Sequence, residues 1–506
     1  MILFYILYMV TKYTRSELQA LSKRKLIDII LKLQDSFLQM EERLKLLEGQ
    51  LHKDSHNSHI PSSKSKPLLI KNLRESSGKS PGGQPGHPGK TLIMVDKPTY
   101  TIMCKVTRCE RCGKDLSRIP ITGYERRQVF DIPPLKLEVT EYRVEKKLCS
   151  CGHLTMTSFP QAVDAPVQYG INTQILVSTL ATHGYVSQER IGETMEYLTG
   201  YRMSEATICA IQDQLYQNLT DFEARSKQHL IHSEVLHNDE TGVSVEGKRE
   251  WVHVTSTEEL THYAVDPKRG KEAMDRIGIL PSFQGKAMHD RWKPYFKYRK
   301  CQHCCCNAHH LREATFFEEE EKASWARPLK DFLLEAKSAV EEAQSKGQDH
   351  LDPELLGKYS CRYNKILEGA LEGLPPPIRT GKRGKLKKTK QRNFIENLLE
   401  YKESVLAFIS DFRVPFSNNL AERDLRMFKV KDKVSGTFRS RHGAECFARI
   451  RGYISTVRKN GRNVFEEIKN ALLGRPFLLQ KWRIANQFLK CAATPDTSRI
   501  TVLSSV

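Results

Sequence analysis

The sequence predicts a multidomain α+β protein. Three observations predict it: a heptad of apolar residues near the N-terminus, two close cysteine pairs further on, and short alternating apolar segments that give way to helical periodicity after residue 233. At 506 residues the chain is too long for one ordinary core, so several domains are expected. An excess of 80 Lys+Arg over 60 Asp+Glu gives a net charge of +20, which points to a polyanionic partner, most often nucleic acid.

The opening MILFYILYMV is apolar but too short to span a bilayer, and it lacks the basic start and cleavage site of a signal peptide. Met9 is an alternative start. The protein reads as cytoplasmic, without a membrane partner and with its 13 cysteines reduced. From Leu26 the apolar residues Ile30, Leu33, Phe37, Met40, Leu44, Leu47 and Leu51 follow at steps of four and three. That spacing is a coiled-coil seam, with self-association as dimer or higher oligomer its natural use. Residues 55–90 turn to Ser, Lys, Pro and Gly, ending in GKSPGGQPGHPGK, and read as a basic linker.

Cys109-x2-Cys112-Gly113 is followed by Cys149-x-Cys151-Gly152, with RRQVFDI and KLEVTEYRVEKK between them reading as strands. Two thiolate pairs on turns, separated by a hairpin, supply four soft ligands for a structural tetrahedral zinc ion. The second pair is one residue short, so His153 is an alternative to Cys151. Residues 171–225 read as helical, and a helix, a Gly200 turn, a Ser204 cap and a second helix follow helix-turn-helix grammar.

In SEVLHNDETGVSVEGKREWVHV an apolar strand runs into Asp239 and Glu240, although strands are depleted in acidic residues. Two more strands (WVHVTS, THYAVD), a helix (GKEAMDRIG) and a strand ending at Asp290 follow. Strand side chains alternate between faces, so only one of Asp239 and Glu240 can point into a site; Glu240 is assigned to a solvated turn, with support of the strand end as the alternative. The order resembles the start of an RNase H-like fold, whose first and fourth strands lie side by side and bring two carboxylates together. Hard oxygen ligands suit magnesium, and a two-metal site needs a third carboxylate. The candidate lies in VPFSNNLAERDLRMFKVKDKVSG, a helix opening at Asn418/Asn419. There Glu422 and Asp424 point to different sides, and Glu422 shares a face with Leu425, Arg426 and Lys429.

These segments, with PGGQPGHPGK, APVQYG, STEELTHYAVDPKRGKEAMDRIGILPSFQGKAMHDRWKPYF and CNAHHLRE, resemble transposases of the insertion-sequence-66 (IS66) type over nearly the whole chain. The resemblance implies a DDE triad of Asp239, Asp290 and Glu422 holding two magnesium or manganese ions, with Lys429 as the basic residue two turns on; the helical spacing sets Arg426 and Lys429 together where a DNA phosphate would lie. It also implies double-stranded DNA, at transposon ends and target, as substrate, and a helical insertion between the second Asp and the Glu. Ser417 stands where Asp is expected and is read as a helix cap. Accessory element-encoded proteins and a nucleoid location belong to the same expectation. The alternative is a catalytically inactive, sequence-specific DNA-binding protein; a nuclease for RNA–DNA hybrids is a third reading, disfavoured by the zipper, the cysteine pairs and the long insertion.

The expected divisions are an N-terminal helix or coiled coil (1–54), a linker (55–95), a zinc-ribbon DNA-binding domain (96–160) and a helix-turn-helix-like region (161–230). An RNase H-like α/β core in two parts (231–300 and 401–475), interrupted by the helical insertion (301–400), and a tail (476–506) complete the chain. Cys301 to His310 reads as a packed helix start rather than a second zinc site. The basic run Arg379 to Arg392, with eight Lys/Arg, reads as a charged loop or a contact to the DNA backbone.

Overall fold

The structure, a computed structural model, describes residues 15–51, 92–379 and 386–479. The linker at 55–90, the start of the chain, the middle of the basic run and the end of the tail therefore lie outside the described residues. Two compact units are distinguished, one of residues 72–211 and one of residues 212–506 with residues 1–71. No described helix is long and apolar enough to cross a membrane.

Helices α1 (Arg15–Ala20) and α2 (Lys23–Leu51) open the chain. The seam residues Ile30, Leu33, Phe37, Met40 and Leu44 lie exposed along α2, as an unpaired heptad face must in a single chain.

The unit of residues 72–211 carries both cysteine turns and a helical part. Among the described residues its regular strands are β1 (Lys146–Leu148) and β2 (Leu154–Met156), paired antiparallel around the second turn. The strands expected over RRQVFDI and KLEVTEYRVEKK do not form, apart from the last residues of the second. An alternating pattern makes a strand when one face has something apolar to cover. Val129, Ile132 and Val139 find nothing of the kind and are 91, 75 and 86% exposed. Helix α3 (Ile171–Ser178), one π-turn, α4 (Gln188–Thr199) and the start of α5 (Glu205–Asn218) follow. The expected turn is there: Gly200 ends α4 at φ +80°, where a Cβ is disfavoured, and Ser204 Oγ accepts from Thr207 N–H at 3.1 Å. Ile191, Met195, Met203, Ile208 and Ile211 are buried.

The second unit is built on a five-stranded sheet. After α6 (Thr220–Ile231) come β3 (Val235–Val245), β4 (Lys248–Ser256), β5 (Thr261–Asp266), α7 (Lys271–Ile277), β6 (Lys286–His289) and β7 (Gln302–Cys305). Their spatial order is β5-β4-β3-β6-β7; β3 to β5 form an antiparallel meander, and β6 and β7 run parallel to β3. Residues 302–305, expected as part of a helix start inside the insertion, are thus the fifth strand, and the helix begins only at Asn307. A cysteine-rich run buried on both faces shows no period that separates strand from helix.

Helices α8 (Asn307–Glu319), α9 (Ala326–Ser345), α10 (Pro353–Glu372), α11 (Lys390–Glu400), α12 (Lys402–Val405) and α13 (Ala407–Ser410) share an apolar core with Met288, Cys304, Cys305 and Cys306. Helix α14 (Asn419–Ser435) then packs on β3 and β4, α15 (Arg441–Lys459) on β5, and α16 (Val464–Leu472) on α15. Contact between α15 and β5 is close: a Cβ at Gly452 would lie 3.1 Å from the Thr261 carbonyl oxygen.

A buried ion cluster fastens α6 to α15 and β5. Glu223 pairs with Arg449 at 2.6 Å and with His262 at 3.2 Å. Burial alone would raise its carboxyl, but His262 and Arg449 hold it down, to about 2. A depressed carboxyl stabilises the fold above its unfolded value near 4.5 and loses that contribution as pH falls toward 2. Glu223→Gln is therefore expected to cost about 2–3 kcal/mol at pH 7 and to flatten the acid side of the stability curve between about pH 4.5 and 2. Urea titrations across that range measure it.

Candidate active site

The parallel pairing of β3 with β6 places the first two acidic residues. Val235 lies opposite Lys286, Leu236 opposite Ala287 and His237 opposite Met288. Two residues further along, the same register sets Asp239 level with Asp290, the first residue after β6. Asp290 Oδ1 accepts from the Trp292 N–H at 3.0 Å. Between them Arg291 adopts φ +65°, and its guanidinium is paired with Glu313 of α8 at 3.1 Å. A non-glycine residue in the left-handed region is strained and persists where its surroundings over-determine it.

Glu422 sits in the first turn of α14. Its carboxylate lies 3.6 Å from Arg312 and 3.8 Å from His309 Nε2, both on α8, and within 4.8 Å of Cys306 Sγ. Glu422 Oε1 is buried and has no hydrogen-bond partner. The carboxyl of Asp239 is pushed well above the usual carboxylate range by burial, by Glu240, by Asp290 and, more weakly, by Glu422. Three carboxylates from three separate elements thus share one electrostatic environment. Asp424 points elsewhere, pairing with Lys459 at 2.8 Å and accepting from Thr261 Oγ1 at 2.9 Å.

Glu240 is not a turn residue. Strand β3 continues to Val245, and Glu240 is buried on the face opposite Asp239. It accepts from Tyr295 Oη at 2.6 Å and pairs with Arg269 at 2.7 Å. The Arg269 guanidinium in turn lies over Trp251 at 4.9 Å and Trp292 at 4.1 Å. Burial and the charge of Asp290 push the Glu240 carboxyl up to about 7. The sequence pattern ends the strand near Asp239, with Glu240 in a solvated turn or supporting the strand end; the strand instead runs on to Val245 and its Glu240 face is covered.

Asn418 has a further role. It stands at the N-cap of α14, yet its side chain makes no cap hydrogen bond, and Ser417 makes none either. Fully buried, it donates through Nδ2 to the Asn238 carbonyl at 2.8 Å and accepts at Oδ1 from His237 Nδ1, 3.0 Å away. Its N–H donates to Cys306 Sγ at 3.1 Å. One side chain therefore joins the strand carrying Asp239 to the helix carrying Glu422.

The two basic residues differ. Lys429 Nζ donates to the Gly242 carbonyl of β3, so it braces α14 on the sheet, while Arg426 is exposed.

Asp239 and Asp290 offer the hard oxygen donors that suit a divalent cation, and one buried Glu422 oxygen lacks a donor, although among the described residues the ligand atoms within 4.8 Å of one another group Glu422 with Cys306 and His309 rather than with the two aspartates. In the other unit, each cysteine pair closes on its own. Gly113 N–H donates to the Cys109 carbonyl and Gly152 N–H to that of Cys149, both at 2.9 Å, and both glycines have positive φ. Each turn is sealed by a second bond, from Cys109 N–H to Lys114 O and from Cys149 N–H to His153 O. The shorter second pair therefore makes the same kind of knuckle. Hydrogen bonds from the knuckle N–H groups lower the thiols of Cys109 and Cys149, as thiolate ligation requires. The donor set of Cys109, Cys112, Cys149 and Cys151 fits zinc, although the two pairs are not among the described clusters that bring three ligands within 4.8 Å.

Comparison with known proteins adds two matches. Residues 167–446, more than half of the chain, match a model described as the transposase IS66 family. Residues 107–152 match the zinc-finger binding domain of transposase IS66. No curated protein matches the chain.

Proposed function

The chain belongs to the IS66 family of transposases, and we propose that it binds the terminal inverted repeats of an insertion sequence and cleaves and rejoins DNA strands at Asp239, Asp290 and Glu422. The observation that carries the reading is the parallel register that sets Asp239 level with Asp290, with Glu422 of α14 near enough for its charge to act on Asp239. The strand order, a meander of three followed by two parallel strands, supports an RNase H-like core.

Asp239 and Asp290 would hold magnesium or manganese from the two neighbouring inner strands of the sheet, and Glu422 would complete the set from α14. Such ions supply Lewis-acid activation of the attacking oxygen and stabilise the leaving one. Water attacks in the cleavage step and a 3′-hydroxyl in strand transfer, so no protein nucleophile is needed. Arg426 is positioned on the exposed side of α14 to meet a phosphate, and Lys429 holds that helix to β3. Glu240, with Arg269 and Tyr295, fixes the strand on which Asp239 lies.

The cysteine turns, the helix pair around Gly200 and the basic run near Arg379 are assigned to DNA, and the exposed α2 seam to pairing with a second copy. The excess positive charge agrees with a place on the nucleoid, in the cytoplasm. Accessory proteins of the element remain part of the proposal as partners. Replacing Cys112 by serine is expected to weaken zinc retention by at least about tenfold in competition with a chelator, because three thiolates close the shell less well than four.

Incubating the protein with terminal-repeat duplex and magnesium tests the reading. Metal-dependent nicks at the repeat ends support it. Binding without nicking, by a preparation that retains its fold, favours the inactive DNA-binding alternative. Cleavage of RNA–DNA hybrid but not of duplex DNA would assign the site to a hybrid nuclease.

A further inference from the structure

Away from the three carboxylates, a second cluster of ligand-type side chains joins α5 to α15. His442 and Cys446 stand four residues apart and so share one face of α15. Asp213 meets them from α5. Its Oδ1 is 2.9 Å from His442 Nε2 and 3.3 Å from Cys446 Sγ, and the sulfur is 3.4 Å from the imidazole nitrogen. Cys446 is buried, whereas Asp213 and His442 are half exposed, so an ion can enter from solvent.

We infer that Asp213, His442 and Cys446 form a binding site for a zinc-class divalent ion, with a fourth coordination position open to water. Tetrahedral zinc, with bonds of about 2.3 Å to sulfur and about 2.0–2.2 Å to nitrogen and oxygen, spaces its ligands about 3.4–3.6 Å apart. The two distances to sulfur already approach that spacing, and the Asp213–His442 pair needs to open by only about half an ångström. A thiolate, an imidazole and a carboxylate form a borderline-soft set that selects zinc or cobalt over magnesium. The His442 ring is held by an edge-on contact with Tyr216, at 5.3 Å between centroids, which limits its swing.

Binding is balanced by one proton. The Cys446 thiol gives up its hydrogen, now directed at Asp213, and the sulfur takes the ion. The hydrogen on His442 Nε2 moves to Nδ1, freeing that lone pair. With no ion the three groups satisfy one another, so the fold does not depend on occupancy. With one, the first two turns of α15 become fastened to α5.

Zinc content of the full-length protein, measured after equilibration and desalting, tests the site through a difference. Cys446→Ala and His442→Ala are each expected to carry one zinc equivalent fewer than wild type. A Cys109→Ser/Cys112→Ser variant, with the ribbon thiols impaired, is expected still to bind one cobalt ion with a charge-transfer band from a single thiolate. Circular dichroism identifies any variant that fails to fold, and Asp213→Asn then replaces it in the comparison. Equal zinc content in wild type and the folded variants overturns the inference, as does a ribbon variant that binds no cobalt.

Discussion

Asp239→Asn is expected to lower metal-dependent cleavage of terminal-repeat DNA by roughly a thousandfold or more, while binding of the repeat is retained. Removing a ligand from a metal site that stabilises a phosphoryl-transfer transition state costs several kcal/mol, and about 4 kcal/mol corresponds to that factor. The same change is expected to raise the stability of the metal-free protein. Burial and the neighbouring carboxylates of Glu240, Asp290 and Glu422 already disfavour a charge at Asp239, and asparagine removes it at nearly constant volume. Lost activity with gained stability is the mark of a residue held for chemistry. A residue serving only the fold would lose both. Single-turnover nicking assays and urea unfolding in chelator separate the two outcomes.

The second large effect falls on a residue with no part in the chemistry. Asn418→Ala is expected to destabilise the protein by about 2–5 kcal/mol, because the His237 ring nitrogen and the Asn238 carbonyl both lose a buried partner. The orientation of Asn418 is fixed from both sides. Its Nδ2 must face the Asn238 carbonyl, which leaves Oδ1 for His237 and requires the hydrogen on Nδ1 of that ring. Asn418→Asp keeps the acceptor but loses the donor and buries a charge, so it is expected to be no better. In both variants cleavage should fall as well, since β3 and α14 lose the tie that spaces Asp239 from Glu422. Unfolding curves together with nicking rates at a temperature where the variants remain folded measure both effects.

Much of the α/β core could be read directly from the chain. Alternating apolar residues marked β3, β4 and β5, and the acidic interruptions marked where strands reach a site. The interval of 51 residues between Asp239 and Asp290 is the register of the parallel pair itself. Other features are set by surroundings that one segment does not carry. RRQVFDI has the alternation of a strand but nothing apolar to lie on, and it stays irregular and largely exposed. Glu240 resembles a solvated acid until Arg269 and Tyr295, 29 and 55 residues away, are found against it. Asn418 carries the composition of a helix cap, and only the fold shows that it reaches β3. His309 and Arg312 flank Glu422 from a helix whose start was concealed by a cysteine-rich strand.

Crystals soaked with manganese, with anomalous scattering to locate the ion, decide whether the three carboxylates share a metal. A peak is expected in direct coordination with carboxylate oxygens of Asp239, Asp290 and Glu422, lost in Asp239→Asn. A soaked crystal with no peak among these three side chains, or with Glu422 turned away from the ion toward Arg312, would contradict it.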